Sequence, residues 1–443
     1  MEHFYYIATM KDGFFDILST PLQQDVNLLP RRQQLEWVGK KVLVVIGPRR
    51  SGKSSLLNRE IANLLAQGVA ESNIVAVNLE DERLQWNNTT LDELLQVRAQ
   101  LYPEIAINDT WFFLDEVQNA PDWEKFVRRL HDTTGTHIAI TGSNSKMLAT
   151  EVATALRGRG YPLEILPLSF AEYLSFNNIP PITRGVKKAT VMAAFEKYLV
   201  CGGFPETATL SVTQGRNILQ NYYNTMVFRD VVERYKVSQF YPLKYMLARV
   251  AATIGKTVSL RKIGNELRTQ GYKVGNELLY DLADMAEAGY FFKRIAKFDY
   301  SLAKREMSDK KAYFIDTGMI NAIIPVSAGN KGMLFENLVF WELYRKYGNL
   351  YTTDIYYYKD PSFECDFVLY QEGGTPLPVQ ACYSLALPET RTREMKGLIK
   401  ACETCRVATG WLITNEEEGE EQINDITISI KPAWKWMLEK LEL

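Results

Sequence analysis

The stretch Gly47-Pro48-Arg49-Arg50-Ser51-Gly52-Lys53-Ser54 fits G-x-x-x-x-G-K-[ST], the pattern of a phosphate-binding loop. Its flanks fit as well. Lys41-Val42-Leu43-Val44-Val45-Ile46 is a short apolar run that reads as a buried strand feeding the loop. From Ser54 onward, Leu57, Ile61, Leu64 and Leu65 fall on one helical face. Strand, glycine loop and helix are the parts a polyphosphate needs. Glycines let backbone amides curl round phosphate oxygens, and the helix N-terminus adds partial positive charge. The expected binding set is Gly47 to Ser55, with Lys53 reaching the β and γ oxygens and the Ser54 hydroxyl on Mg²⁺.

A second signal is Trp111-Phe112-Phe113-Leu114-Asp115-Glu116, four large apolar residues running into two carboxylates. A strand buried on both faces explains the continuous apolar run. About 60 residues beyond a phosphate loop, it has the Walker-B form, with Asp115 in the Mg²⁺ shell and Glu116 orienting or deprotonating water. His137-Ile138-Ala139-Ile140-Thr141-Gly142-Ser143-Asn144 reads as a further strand ending in small polar residues, where Ser143 or Asn144 would sense a γ-phosphate. In Leu156-Arg157-Gly158-Arg159-Gly160, two arginines among glycines suit either a surface loop or a finger offered to a neighbouring subunit.

The order of these motifs resembles the prokaryotic AAA-type ATPases that carry a C-terminal restriction-endonuclease-like domain of unknown function. The resemblance rests on GPRRSGKS at 47–54, LDEVQ at 114–118, TGSN at 141–144 and GRGYPLEILPLSFAEYL at 158–174. It continues through CGGFPE at 201–206, AYFIDTG at 312–318, LFENLVFWEL at 334–343 and ECDFVL at 364–369, and so covers nearly the whole chain. It implies an ATPase using ATP and Mg²⁺, with Arg159 at the position of the family's Gly-Arg motif.

The 443 residues exceed one core, and 46% hydrophobic with 23% charged residues is ordinary for a folded protein. A net charge of −2 argues against a globally basic nucleic-acid coat. Five irregularly spaced cysteines suit a reducing compartment, and Cys402-Glu403-Thr404-Cys405 has no second pair to complete a zinc site. No run reaches membrane-spanning length and the N-terminus lacks a signal pattern, so a soluble, cytoplasmic protein is expected.

The expected fold is α/β and multidomain. Residues 1–168 form an AAA-type P-loop core behind a helical lead-in at 1–40, and 169–239 form a helical lid. Residues 240–305 read as a winged helix-turn-helix, with helices over 243–254, from Ser259 and over 275–288, then a hairpin from Tyr290 to Ala303. Its third helix is acidic (Glu277, Asp281, Asp284, Glu287), the wrong sign for a phosphate-lined groove. The hairpin is basic (Lys293, Arg294, Lys297, Lys304, Arg305), which leaves wing-led DNA contact open. Residues 306–443 are expected to be restriction-endonuclease-like. Asp366 and Glu336 match the acidic positions of PD-(D/E)XK nucleases, but Gln380 stands at the glutamate position and Cys382 at the lysine position. An amide is a weaker Mg²⁺ ligand and a thiol is no cation, so the domain reads as a nuclease fold without catalysis.

The leading expectation is a Mg²⁺-dependent ATPase whose nucleotide state moves the appended domains. An ATP-regulated DNA-binding protein or nuclease is one rival, and a slow switch that binds a protein partner is another. The sequence leaves the oligomeric state open.

Overall fold

Strand β1 (Val42–Ile46), five apolar residues all buried, lies inside the first sheet. In the computed structural model, which describes residues 10–22, 31–86, 90–142, 156–182, 184–185, 187–324, 331–348, 354–370 and 373–439, the chain forms two compact units. They are Met1–Leu166 and Pro167–Leu443.

In the first unit, β2 (Ile74–Asn78), β3 (Trp111–Asp115), β4 (His137–Gly142) and β5 (Gly160–Glu164) join β1 in the order β2-β3-β4-β1-β5. Every pairing is parallel. Burial of each Val, Ile, Leu or Phe in these strands contributes about 1.5–3 kcal/mol. Helices α1 (Met10–Ser19), α2 (Lys53–Ala66), α3 (Asp92–Leu101) and α4 (Trp123–Thr134) accompany the sheet. Strand β5 is not anticipated by the sequence reading. It is a short edge strand carrying Pro162, which lacks the N–H that a central strand needs. Among the described residues of the lead-in only α1 is helical, and Arg31–Val38 has no helix.

The second unit opens with α5 (Phe170–Phe176), started by a capping box. The Ser169 hydroxyl accepts from Glu172 N at 3.4 Å, and the Glu172 carboxylate accepts from Ser169 N at 2.9 Å. Helices α6 (Lys187–Cys201) and α7 (Val212–Met226) follow, the latter running into a π-helical turn at Val227–Glu233. Next come α8 (Phe240–Ala251), β6 (Thr257–Val258), α9 (Leu260–Thr269), α10 (Asn276–Ala288), β7 (Phe292–Ile295), α11 (Leu302–Met307) and β8 (Lys310–Phe314). The strands form an antiparallel sheet in the order β6-β8-β7. This corrects two expectations. The partner of β7 is β8, not a strand at 296–303, since Ala303 lies in α11. The boundary expected at 305/306 also falls inside a structural unit, because β8 belongs to the same sheet as β7.

After β8 come α12 (Thr317–Ile323), α13 (Lys331–Tyr347) and the strands β9 (Ile355–Lys359), β10 (Glu364–Leu369) and β11 (Leu377–Cys382). Helix α14 (Pro388–Cys405), strands β12 (Thr409–Thr414), β13 (Gly419–Ile423) and β14 (Ile426–Pro432), and the short α15 (Ala433–Trp436) complete the chain. The six strands lie in the order β13-β14-β12-β11-β10-β9, with β11–β12 and β12–β14 parallel. The segment after β7 meets this sheet, with Phe298 N donating to Tyr357 O at 2.7 Å, and α13 holds the end of β8, with Asn337 Nδ2 donating to Phe314 O at 2.9 Å.

Two of the sequence motifs are packing solutions. Asp316 accepts from Met319 N at 3.0 Å, capping α12, and from Gly203 N at 2.7 Å. A Cβ at Gly202 would lie 2.0 Å from Asp316 Oδ1, and one at Gly318 would lie 2.0 Å from Cys201 O. The Cys201-Gly202-Gly203 turn and the Asp316-Thr317-Gly318 cap therefore interlock only without side chains. Cys402 and Cys405 are buried thiols of α14, pushed up to about 12 and about 11 by burial. No helix among the described residues is long and apolar enough to cross a membrane.

Candidate functional site

In an all-parallel sheet the carboxyl ends of the strands share one edge, and there the site assembles. The loop leaves β1 at Gly47, where φ is 152° and a Cβ would sit 2.1 Å from Ile165 O. At Gly52 φ is 101°, a conformation glycine adopts freely, and α2 starts at the next residue. Lys53 is only 3% exposed. Its ammonium donates to the carbonyls of Gly47 and Pro48, each at 3.2 Å, and lies 3.6 Å from Glu116 Oε1.

Asp115 ends β3, which is separated from β1 by β4. Its carboxylate accepts from the hydroxyls of Thr141 and Ser54. Burial pushes the Asp115 carboxyl above its ordinary value, against the pull of these hydroxyls and of Lys53. Glu116 follows in the left-handed region, at φ 52°. A non-glycine residue there is uncommon and marks a constrained position. Burial alone would raise Glu116. The Lys53 ammonium and the amide of Gln118 outweigh it and hold the carboxylate below the usual range. Thr141 links the two acids, since Glu116 N donates to its hydroxyl at 2.9 Å.

The residues present fit a nucleotide phosphate and its Mg²⁺. The loop is a glycine cradle at a helix N-terminus, with the Ser54 hydroxyl beside Asp115 and the Ser51 hydroxyl buried without a hydrogen-bond partner. Arg49 lies 3.4 Å from Glu80, and Arg50 sits at φ 65°. Ser143 and Asn144 lie outside the described residues. Arg159 is not brought to this edge. It precedes β5, whose Gly160 pairs with Val42 at the opposite end of β1, and its guanidinium donates to Asp132 at 2.5 Å.

The carboxylates expected in the C-terminal region also converge. Glu336 on α13 and Glu364 and Asp366 on β10 surround Lys311, which arrives from β8 and is 0% exposed. Gln380 Nε2 donates to Asp366 Oδ2 at 2.7 Å and to Glu394 Oε2 at 2.5 Å. The Cys382 thiol turns to Ser384 O at 3.2 Å and is pushed up to about 12 by burial. Glu336, Glu364, Asp366, Gln380, Cys382 and Glu394 line a cavity of about 640 Å³.

The basic residues expected to lead DNA contact are mostly engaged within the chain. Arg294 donates to Glu287 at 2.6 Å and to Asp284 at 2.5 Å, which also supplies counter-charge to the acidic α10. Lys293 lies 4.6 Å from the Tyr344 ring centroid, and Arg305 donates to the Tyr356 hydroxyl at 3.0 Å. Of the five, Lys304 is exposed and the others are half-buried.

Residues 39–174 match a family described as an AAA domain, while 192–330 and 331–435 match two domains of unknown function. An uncharacterized protein of Methanocaldococcus jannaschii is 33% identical over 427 residues, covering 94% of this chain and 92% of that one. The chain belongs to the family of that protein. An uncharacterized protein of Haemophilus influenzae is 30% identical over 395 residues, covering 89% of this chain and 94% of its own. Among solved structures, the ORC1 protein of Aeropyrum pernix in complex with DNA aligns at 10% identity and a TM-score of 0.30, over 71% of this chain and 91% of that one.

The N-terminal unit of this family member is thus a P-loop domain of AAA type. Within it, Thr141 is the residue that sequence reasoning passed over. Its signal is present, a hydroxyl at the end of the strand next to β3, but a β-branched residue inside an apolar run reads as strand. Lys311 was missed for a different reason. It lies 55 residues before Asp366, in a segment whose pairing partner was not legible.

Proposed function

We propose that the protein binds ATP with Mg²⁺ at Gly47–Ser55 and hydrolyses it, and that the nucleotide state gates the second unit. The observation that carries this is the convergence of Lys53, Ser54, Asp115 and Glu116 at one sheet edge. Lys53 binds phosphate oxygens once its ammonium leaves the Gly47 and Pro48 carbonyls. Ser54 and Asp115 would hold Mg²⁺, which supplies charge neutralisation at the β and γ phosphates. Glu116, kept ionised by its neighbours, orients a water molecule and accepts its proton. Thr141 fixes the directions of both acids. Ser143 or Asn144 is the proposed γ-phosphate sensor, and Arg159 is a finger only toward another subunit.

In the second unit we infer a helical lid over 169–239, then a winged-helix-like module extended to include β8. A nuclease-like domain that lacks catalysis follows. Three helices with a three-stranded antiparallel sheet support the second, and an acid-bearing helix beside strands β10 and β11 supports the third. Between a DNA-coupled motor and a protein-binding switch, the internally engaged cations of the β7 region favour the switch.

The test is equilibrium binding of a fluorescent ATP analogue. Lys53→Ala should weaken binding at least tenfold, while Arg159→Ala leaves it unchanged at protein concentrations where the chain is monomeric. Equal binding by wild type and Lys53→Ala would sink the reading.

A further inference from the structure

The nuclease-like resemblance implies a divalent cation between Glu336 and Asp366, and the residues present do not fit one. The Lys311 ammonium already lies 2.7 Å from Glu364 Oε1, 3.3 Å from Asp366 Oδ1 and 3.4 Å from Glu336 Oε1. It is fully buried, and Tyr313 on the same strand donates its hydroxyl to Glu336 at 2.8 Å. We propose that Lys311 is a tethered cation that takes the place of a metal ion among these three carboxylates, so that the site holds no divalent metal.

Three observations converge on this. The first is stoichiometric: a buried carboxylate group of this density requires positive charge within a few ångströms, and Lys311 delivers it with three contacts at once. The second is that the two other acids lining the cavity are also engaged: Glu394 accepts from Gln380 and from Arg393 at 2.5 Å each, and Asp360 accepts from Ser362 N at 2.8 Å and Phe363 N at 2.7 Å. Likewise Lys359, which lines the cavity, pairs with Glu364 at 2.7 Å. A phosphodiester entering the cavity would meet carboxylates whose cations are already committed. The third is that Asp366 and Glu336 are engaged further, by Gln380 Nε2 at 2.7 Å and by the Tyr313 hydroxyl at 2.8 Å.

The tether has a structural consequence. Lys311 is on β8 of the small sheet, whereas its partners are on α13 and on β10 of the large sheet. The same ion cluster that excludes a metal therefore fastens the two sheets together, and neutralising Lys311 frees a latent cation site.

The experiment is calorimetric titration of MnCl₂ into the full-length, nucleotide-free protein. Wild type and Asp366→Asn should give the same isotherm, because no Mn²⁺ reaches Asp366. Lys311→Met should gain one Mn²⁺ equivalent, lost again in Lys311→Met/Asp366→Asn, and Mn²⁺ should raise the Tm of Lys311→Met alone. Mn²⁺ binding to wild type that disappears in Asp366→Asn overturns the proposal, and this arm decides whether or not the Lys311 variant folds. A folded Lys311→Met that takes up no Mn²⁺ also counts against it.

Discussion

Thr141 is the smallest part of the site with the widest reach. Its hydroxyl donates to Asp115 and accepts from Glu116 N, so one side chain sets the direction of both acids. Thr141→Val keeps the shape and removes both bonds, leaving a buried acid and a buried N–H without these partners. The expected loss is about 1–3 kcal/mol of stability and roughly tenfold or more in kcat, since misplaced catalytic groups are costly. Nucleotide affinity should change little, because Lys53 and the loop amides are untouched. A variant with wild-type kcat and unaltered Tm would show that the hydroxyl positions nothing. Lys53 and Ser54 were legible because their chemistry is tied to a fixed spacing after a strand. Thr141 was not, because its role arises only when β4 is laid beside β3.

At the scale of elements, the interlock of Asp316 with the Gly202–Gly203 turn makes a pH-dependent joint between α12 and α6. Burial pushes Asp316 up to about 6, against the hydrogen bonds donated by Gly203 N and Met319 N. A carboxyl raised on folding holds its proton more tightly in the folded state than in the unfolded chain. It therefore adds stability below the ordinary value of 3.8 and loses that contribution as pH rises through about 6. The rise from 3.8 to about 6 corresponds to about 3 kcal/mol. Asp316→Asn keeps an acceptor and abolishes the titration. The Tm of wild type minus that of the variant should fall between pH 4 and 7 and level off above. A difference that is constant with pH would contradict this. Element boundaries were legible where the pattern was strong, as in α2, α10 and β1. They failed at β5 and β8, where short strands carry little pattern and only tertiary pairing defines them.

For the molecule as a whole, the sequence motifs divide into two kinds. GPRRSGKS and LDEVQ meet at one edge of a parallel sheet and build a site, whereas CGGFPE and AYFIDTG meet as a packing joint. Motif strength alone does not distinguish these, since both kinds depend on glycines and carboxylates at fixed positions. The C-terminal substitutions Gln380 and Cys382 were visible in the sequence as departures from a nuclease pattern. That a lysine from another sheet closes the same cluster was not, because only the fold brings β8 against β10.

The central claim is that Glu116 drives hydrolysis at the P-loop, with the second unit responding to nucleotide rather than to DNA. Steady-state ATP hydrolysis with Mg²⁺, with and without duplex DNA, for wild type and Glu116→Gln tests it most directly. The account predicts turnover by wild type that duplex DNA leaves unchanged, reduced about 10²–10⁴-fold in Glu116→Gln with ATP binding retained. Equal turnover in both proteins would contradict the assignment of Glu116, and hydrolysis that rises several-fold with DNA would contradict the switch.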